Sequence, residues 1–242
     1  MAVQSVDLGK GLAWYGDGWA IFMRSPGMWI VFMILLLVIA VVLGLVPLLG
    51  SLLLALILPG LIGGVLYAAR ELSEQREMDI SHLFIAFKEI EMRNSVLVLG
   101  AVMLGANILI MLITLVLVGS SMGAAGMMQQ GQHDMMAAGF GVGMLLALLL
   151  VSGLGLLLSM AFFYAVPLVM FTGAKPLDAI RSSFSACITN ILPLLVFGVV
   201  YIVLATIAMI PLGLGLLVLL PVTFGAIYAS YRDVFAPAAQ LP

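Results

Sequence analysis

Hydrophobic residues run along this chain in long stretches that no formal charge interrupts. Residues 25–69, 94–133, 135–174 and 182–231 contain no Asp, Glu, Lys or Arg. A helix of about 20 apolar residues crosses a bilayer, so the first and last stretches can cross and return, and the middle two cross once each. The pattern predicts an all-α integral membrane protein with six transmembrane helices. Their expected ranges are about 28–46, 51–69, 95–118, 141–165, 191–210 and 214–231.

Three further segments carry apolar residues three or four positions apart, which is the spacing of one helical face. Each segment also contains charged residues and precedes a pair of spans, as expected of an amphipathic helix on a membrane surface. The predicted apolar positions are Leu8, Leu12, Tyr15, Trp19 and Phe22 in residues 7–24, Ile80, Leu83, Phe84, Phe87 and Ile90 in residues 79–93, and Leu177, Ile180, Phe184 and Ile188 in residues 176–190. Trp14 and Trp19 are of the residue type that favours lipid headgroups.

The sequence therefore predicts a structural unit that is repeated three times. Each unit consists of an interfacial helix followed by an outward and an inward span. The repeats cover residues 7–71, 79–173 and 176–233, within a single transmembrane domain of residues 1–242 that ends in a short tail, 234–242. An even number of spans in each unit predicts repeats in the same orientation, related by an axis along the membrane normal. At a constant offset of 162 residues the first and third units match at Phe22 and Phe184, Pro59 and Pro221, Gly63 and Gly225, Arg70 and Arg232, and Glu71 and Asp233.

Composition and charge agree with this interpretation and add an orientation. The chain is 64% hydrophobic and only 8% charged, with a mean hydropathy of +1.30, whereas a soluble domain carries roughly 25% charged residues. All nine Lys and Arg residues fall on one side of the six spans. Basic residues mark the cytoplasmic side, so we expect a bacterial inner-membrane protein with both termini in the cytoplasm. No basic tract with interleaved aromatic residues suggests nucleic-acid binding.

A family resemblance accompanies this architecture. Residues 164–195, YAVPLVMFTGAKPLDAIRSSFSACITNILPLL, join a Pro-containing span end, a small turn, a Pro-Leu-x-Ala-hydrophobic-Arg-x-Ser-Phe helix start and an Asn before the next span. With the N-terminal aromatic helix and the terminal SYRDVF, the chain resembles an uncharacterised proteobacterial six-span inner-membrane family. That family is similar to the membrane-anchor domain associated with glycerophosphodiester phosphodiesterases. The resemblance covers nearly the whole chain and implies architecture; it implies no catalytic residues, because the phosphodiesterase catalytic domain has no counterpart in this sequence.

The expected outer loop, residues 119–138, carries the sharpest local chemistry. Thioether and imidazole ligands suit Cu(I), and the candidate copper ligands are Met127, Met128, His133, Met135 and Met136. The alternative is a flexible, weakly hydrophobic loop, since Met and Gly are frequent throughout this chain. No other cofactor is expected.

Polar residues inside the spans are few and carry no charge. Asn107, Thr114, Ser152, Ser159 and Thr206 are the candidates, and we expect them to form hydrogen bonds between helices. The lack of intramembrane ionisable residues disfavours ion-coupled transport. The small-xxx-small pairs Gly60 and Gly64, and Gly139 and Gly143, predict close helix approach. The cytoplasmic carboxylates between residues 71 and 91 are expected to balance charge on a surface helix.

These observations favour a non-enzymatic membrane scaffold or accessory subunit that contacts membrane lipids, a partner membrane protein or a second copy of the chain. The alternative is a transporter or channel for a weakly polar or lipidic solute that uses its Pro-containing helices. Copper handling at the outer loop is a third hypothesis.

Overall fold

The computed structural model describes residues 3–127 and 133–235, and the side chains of all of these except 120–127 and 133–143. Within those residues the chain forms α-helices joined by short connections, with one 3₁₀ helix at Ile80–Phe87. The α-helices are α1 Lys10–Arg24, α2 Pro26–Gly44, α3 Leu49–Ser73, α4 Ile90–Met127, α5 His133–Phe163, α6 Ala165–Thr172, α7 Pro176–Thr189, α8 Ile191–Met209 and α9 Leu216–Phe235.

Five helical segments in this description are long and apolar enough to cross a membrane, and the protein is an all-helical membrane protein. They are Pro26–Gly44, Leu49–Ser73, Ile90–Gly119, Met144–Thr172 and Ile191–Met209. Five of the six predicted spans thus coincide with such segments. The sixth, 214–231, coincides with α9, which is not among the five because its last turns contain Tyr228, Tyr231, Arg232 and Asp233.

The connection between α4 and α5 differs from the prediction. We expected an outer loop at residues 119–138, but α4 continues to Met127 and α5 begins at His133. Met, Ala and Gln are good helix formers, and no proline interrupts this stretch. Both helices therefore extend into the segment that its composition had led us to predict as a loop.

The hydrophobic core occupies one end of the bundle. This end holds the N-termini of α2, α4 and α8 and the C-termini of α3, α6 and α9, and we call it the basic end because all nine Lys and Arg residues lie in or beside these segments. The buried residues of the core cluster come from the part of each helix that is nearest the basic end. They extend as far as Met33 in α2, Leu61 in α3, Leu99 in α4, Phe197 in α8 and Val222 in α9. Towards the other end, large apolar side chains are exposed on most faces of α2, α4, α5 and α8.

The first amphipathic helix, α1, packs lengthwise against α9 through glycine. A Cβ added at Gly225 would lie 2.9 Å from the Cα of Gly18. A Cβ added at Gly18 would lie 2.2 Å from the carbonyl oxygen of Val222. The buried residues of α1 are Gly11, Trp14, Tyr15, Gly18, Ile21 and Phe22; Gly11 and Tyr15 among them pack against α8.

The predicted apolar face of α1 is divided between the protein core and the exposed surface. Tyr15 and Phe22 are buried, but Leu8, Leu12 and Trp19 are at least 50% exposed, and Trp14, expected among headgroups, is fully buried. Glycines let the backbone of α1 approach α9 closely, and the larger residues are left on the outer side, available to lipid.

The second amphipathic segment is not the α-helix that the sequence predicted. Residues Ile80–Phe87 form a 3₁₀ helix, which begins at a capping box between Asp79 and His82, and Ile90 already belongs to α4. A 3₁₀ helix repeats every three residues, so the buried positions are Leu83 and Ala86. Ile80 and Phe84 of the predicted apolar face are exposed.

The third amphipathic helix, α7, repeats the arrangement of α1. Its buried residues are small, Ala179, Ser183, Ala186 and Cys187, whereas Leu177 and Ile188 of the predicted apolar face are exposed. Both α1 and α7 place small side chains against the bundle and leave some large apolar side chains exposed, although α1 also buries Trp14, Tyr15, Ile21 and Phe22.

Prediction for the α1–α9 contact. Replacing Gly18 with Ala should destabilise the protein by about 1–3 kcal/mol, because the new methyl group overlaps the α9 backbone. Gly16→Ala is the matched control, since a Cβ at Gly16 meets no atom within 4 Å; it should be neutral or stabilise α1 by up to about 1 kcal/mol. Unfolding of both variants in detergent measures the difference, and equal stabilities would contradict the packing described.

Candidate functional site

A helix break lies where the second hairpin returns to the basic end. Pro167 has no N–H, and its ring crowds the carbonyl four residues earlier, so α5 ends at Phe163 and α6 begins at Ala165. Pro59 and Pro221 lie inside α3 and α9 without ending them. The break therefore distinguishes the second hairpin from the other two.

Ser183 of α7 completes the hydrogen bonding at this break. Its hydroxyl accepts a hydrogen bond from the Tyr164 N–H at 2.8 Å and donates one to the Met160 carbonyl at 2.8 Å. In an uninterrupted helix, Tyr164 would donate to Met160 directly. Ser183 is thus inserted into one turn of the helix, and it is completely buried.

Cys187, one turn further along α7, faces the same carbonyl. Its Sγ lies 3.4 Å from the Met160 carbonyl oxygen, and burial raises the pKa of the thiol to about 12. The thiolate is the reactive form of cysteine, so burial and the raised pKa both favour a packing role for Cys187.

Asn190, at the end of α7, forms two hydrogen bonds with the N-terminal segment. Its Oδ1 accepts from the Val6 N–H at 2.9 Å, and its Nδ2 donates to the Gln4 carbonyl at 2.9 Å. The Gln4 N–H donates to the Val234 carbonyl at 2.9 Å. One buried amide therefore connects the start of the chain to α7, and the same segment reaches the end of α9.

The site that these contacts frame is a groove between the second and third hairpins, which we call the interhairpin groove. It has a volume of about 410 Å³, within the range of ligand pockets. Its walls include Met160 and Phe163 of α5, Leu194 and Gly198 of α8, and Thr223 and Ile227 of α9.

The surface of this groove is almost wholly apolar. Hydroxyl groups at its edge are used within their own helices: Ser159 donates to the Leu156 carbonyl and Thr223 to the Leu219 carbonyl. The ring of Phe163 meets Phe197 edge-to-face at 5.9 Å between centroids, and Tyr15 stacks on Phe197 at 4.7 Å. Such a surface suits a hydrocarbon chain and has no arrangement of charges for a polar solute.

Ion pairs hold the carboxylates at the basic end. Arg76 donates to both oxygens of Glu71, at 2.6 and 2.7 Å, and also contacts Glu74. The hydrogen bond from Arg70 and the nearby Arg76 guanidinium lower the pKa of Glu74. Asp233 accepts from Lys10 at 3.0 Å and from the Trp14 indole at 3.1 Å. Glu71, Glu74 and Asp233 thus all have basic partners.

Four of the five polar residues predicted inside the spans bond within their own helix. Asn107, Thr114, Ser159 and Thr206 each donate to a carbonyl three or four residues earlier in their own helix. The prediction of interhelical bonds was wrong for these four, because a side chain can satisfy itself on the nearest backbone carbonyl. Gly60 and Gly64 do mark a close approach, against Phe87 and the backbone of Leu83.

The candidate copper ligands are not brought into one described site. Met127 is the last residue of α4, His133 is the first of α5, and Met135 and Met136 follow within α5. The side chains of these four lie outside the described residues, as do all of Met128 and the surroundings of Gly139 and Gly143. Among the side chains that are described, no group of three His, Cys, Asp or Glu residues could hold a metal ion.

Sequence reasoning did not single out the residues that hold this site together. Ser183 and Asn190 appeared only as letters of a family pattern, and Gly11 and Gly18 were not considered. The available signal was spacing: Ala179, Ser183, Ala186 and Asn190 follow one another at steps of 4, 3 and 4, and Gly11 and Gly18 are seven apart. Small residues at helical spacing indicate a close contact between helices.

No family model matches the chain, and no curated protein or solved structure matches it either. The resemblance to the anchor domain of phosphodiesterases therefore stays a prediction.

Prediction for the helix break. Ser183→Ala removes both hydrogen bonds and should destabilise the protein by about 1–3 kcal/mol, the cost of leaving buried polar groups unpaired. Ser185→Ala, at an exposed position of the same helix, should have little effect. Thermal or denaturant unfolding in detergent compares them. Equal stability of the two variants would mean that Tyr164 bonds Met160 directly once the hydroxyl is gone.

Proposed function

We propose that the protein is a non-enzymatic, six-span protein of the bacterial inner membrane that serves as a membrane scaffold or accessory subunit and holds lipid between its hairpins. Both termini lie in the cytoplasm, and α9 is the sixth span. Its contacts are membrane lipids together with a partner membrane protein or a second copy of the chain.

The threefold repeat belongs to this proposal, and the packing of the amphipathic segments supports it. The segment that opens each unit packs on the inward span of the unit before it: the 3₁₀ helix on α3, α7 on α5 and α6, and α1 on α9. That pattern is cyclic, as expected for three units around one axis. Gly63 and Gly225, which occupy equivalent positions, both stand at close contacts.

The observation that carries the proposal is the restriction of the core to the basic end. Helices of a protein that worked alone as a sealed channel would be packed along their length. Here the far halves of α2, α4, α5 and α8 expose apolar side chains, and an apolar groove opens between two hairpins. Surfaces of this kind are stable only against hydrocarbon or another apolar protein surface.

Passage of a lipidic solute is the second candidate function, and the groove favours it. The groove lies between two hairpins and ends beside the α5 break, where a helix can bend. An apolar solute could use this route without any charged residue. The copper hypothesis is supported only by the Met and His residues of the sequence.

Prediction for the groove. A Cβ at Gly198 meets no atom within 4 Å, so Gly198→Phe should fold normally and fill the interhairpin groove. We expect the purified variant to retain about one phospholipid fewer per chain than the wild type, measured by native mass spectrometry. Gly153→Phe is the matched control, because Gly153 is a helical glycine with equally open surroundings outside the groove.

The same proteins in liposomes separate the two candidate functions. A scaffold should leave the transbilayer movement of a fluorescent phospholipid unchanged in all three proteins. Faster movement with the wild type and Gly153→Phe, but not with Gly198→Phe, would favour the lipid-passage alternative. Equal lipid retention by all three would remove the groove from the proposal.

Prediction for topology. Cysteines placed at Leu212 and Arg232 report the two ends of α9, and both positions are exposed. We expect a membrane-impermeant maleimide to label Leu212→Cys from outside the cell and Arg232→Cys only from the cytoplasmic side. Wild-type protein is the control, and its one cysteine, Cys187, should stay unlabelled because it is buried. Labelling of both positions from one side would show that α9 does not span.

A further inference from the structure

Two clefts open at the basic end, at comparable places in the first and second repeats. The first has a volume of about 590 Å³ and is lined by Arg24, Ser25 and Arg76, among others. The second, which we call the headgroup cleft, has a volume of about 460 Å³ and lies between the start of α4 and the start of α7. Each brings the beginning of an outward span next to the connection that leaves that repeat.

The basic side chains that line the first cleft already have partners within the protein. Arg24 donates to the carbonyls of Leu72 and Ser73 at the end of α3, and Arg76 pairs with Glu71 and Glu74. Little positive charge is left there for a ligand.

The headgroup cleft differs in this respect. It is lined by Lys175 and Arg181, and no ion pair or hydrogen bond among the described residues uses either side chain. Asn94 and Ser95 add polar groups to its wall, and Asp178 is its one carboxylate. Two cations to one anion leave the cleft with a net positive charge.

Apolar surface adjoins these charges. Val98 and Leu177 line the same cleft and are 45% and 58% exposed. A soluble phosphate would gain nothing from that surface, whereas a phospholipid presents a phosphate and a hydrocarbon chain side by side. Charge complementarity and the neighbouring apolar side chains thus specify one occupant.

We infer that the headgroup cleft binds the phosphate of an anionic phospholipid such as phosphatidylglycerol, with Lys175 and Arg181 as its ligands and the acyl chain along Val98 and Leu177. This inference rests on the proposed membrane insertion but is independent of the interhairpin groove.

The test is a titration of the purified full chain with phosphatidylglycerol, followed by native mass spectrometry. Lys175→Gln/Arg181→Gln should weaken the tightest phosphatidylglycerol binding roughly 30-fold, as expected for two basic residues at a lipid surface. Lys88→Gln/Arg232→Gln removes the same charge from the same end and should keep wild-type affinity. The charge-conserving pair Lys175→Arg/Arg181→Lys should also keep binding and excludes a structural cause.

Several outcomes would overturn the inference. An equal loss of phosphatidylglycerol affinity in the cleft and control variants would mean that only the total charge of this end matters. Unchanged affinity in the cleft variant would show that Lys175 and Arg181 are not ligands of the lipid. Equal binding of phosphatidylcholine would contradict the preference for an anionic lipid, and displacement by inorganic phosphate would assign the cleft to a soluble anion. Gly198→Phe should leave this binding intact, so failure of the groove proposal and failure of this one are distinguishable.

Discussion

The close approach of α1 to α9 is the contact on which the rest of the bundle depends. In a membrane the hydrophobic effect does not drive helices together, and association relies on van der Waals packing at small residues. Gly18 and Gly225 permit that packing where the first helix of the chain meets the last. The contact joins the N-terminal helix to α9, and Trp14 is buried beside it, where its indole donates to Asp233 next to Lys10.

A second constraint, the satisfaction of backbone polar groups away from water, shapes the basic end. Pro167 interrupts one helix, and Ser183 supplies the missing donor and acceptor from a neighbouring helix. Asn190 does the same for the extended N-terminal segment, and Arg24 for the last carbonyls of α3. Each of these side chains connects separate segments, so the polar contacts and the glycine contacts stabilise the same half of the molecule.

That division of the molecule accounts for the function we propose. One half is held together by specific contacts and carries the charge. The other half consists of hairpins whose apolar side chains are left for lipid or a partner protein. α1 and α7 share part of this property, because each places small residues against the bundle and exposes large apolar residues such as Leu12 and Leu177. The groove lies between α5, α8 and α9, and the headgroup cleft lies between α4 and α7, so both open between helices distant in sequence.

Hydrophobic periodicity by itself determined the helical class, the positions of the membrane-crossing segments and the grouping of basic residues at one end, because the length and polarity of a span are local properties of the chain. Tertiary structure alone decided which face of each amphipathic segment is buried. An apolar stripe such as Leu8, Leu12 and Trp19 satisfies a lipid surface as well as a protein core, so its pattern is ambiguous in a membrane. Close packing selected instead the faces with Gly18 and Ser183, and the candidate site depends on those contacts between residues distant in sequence.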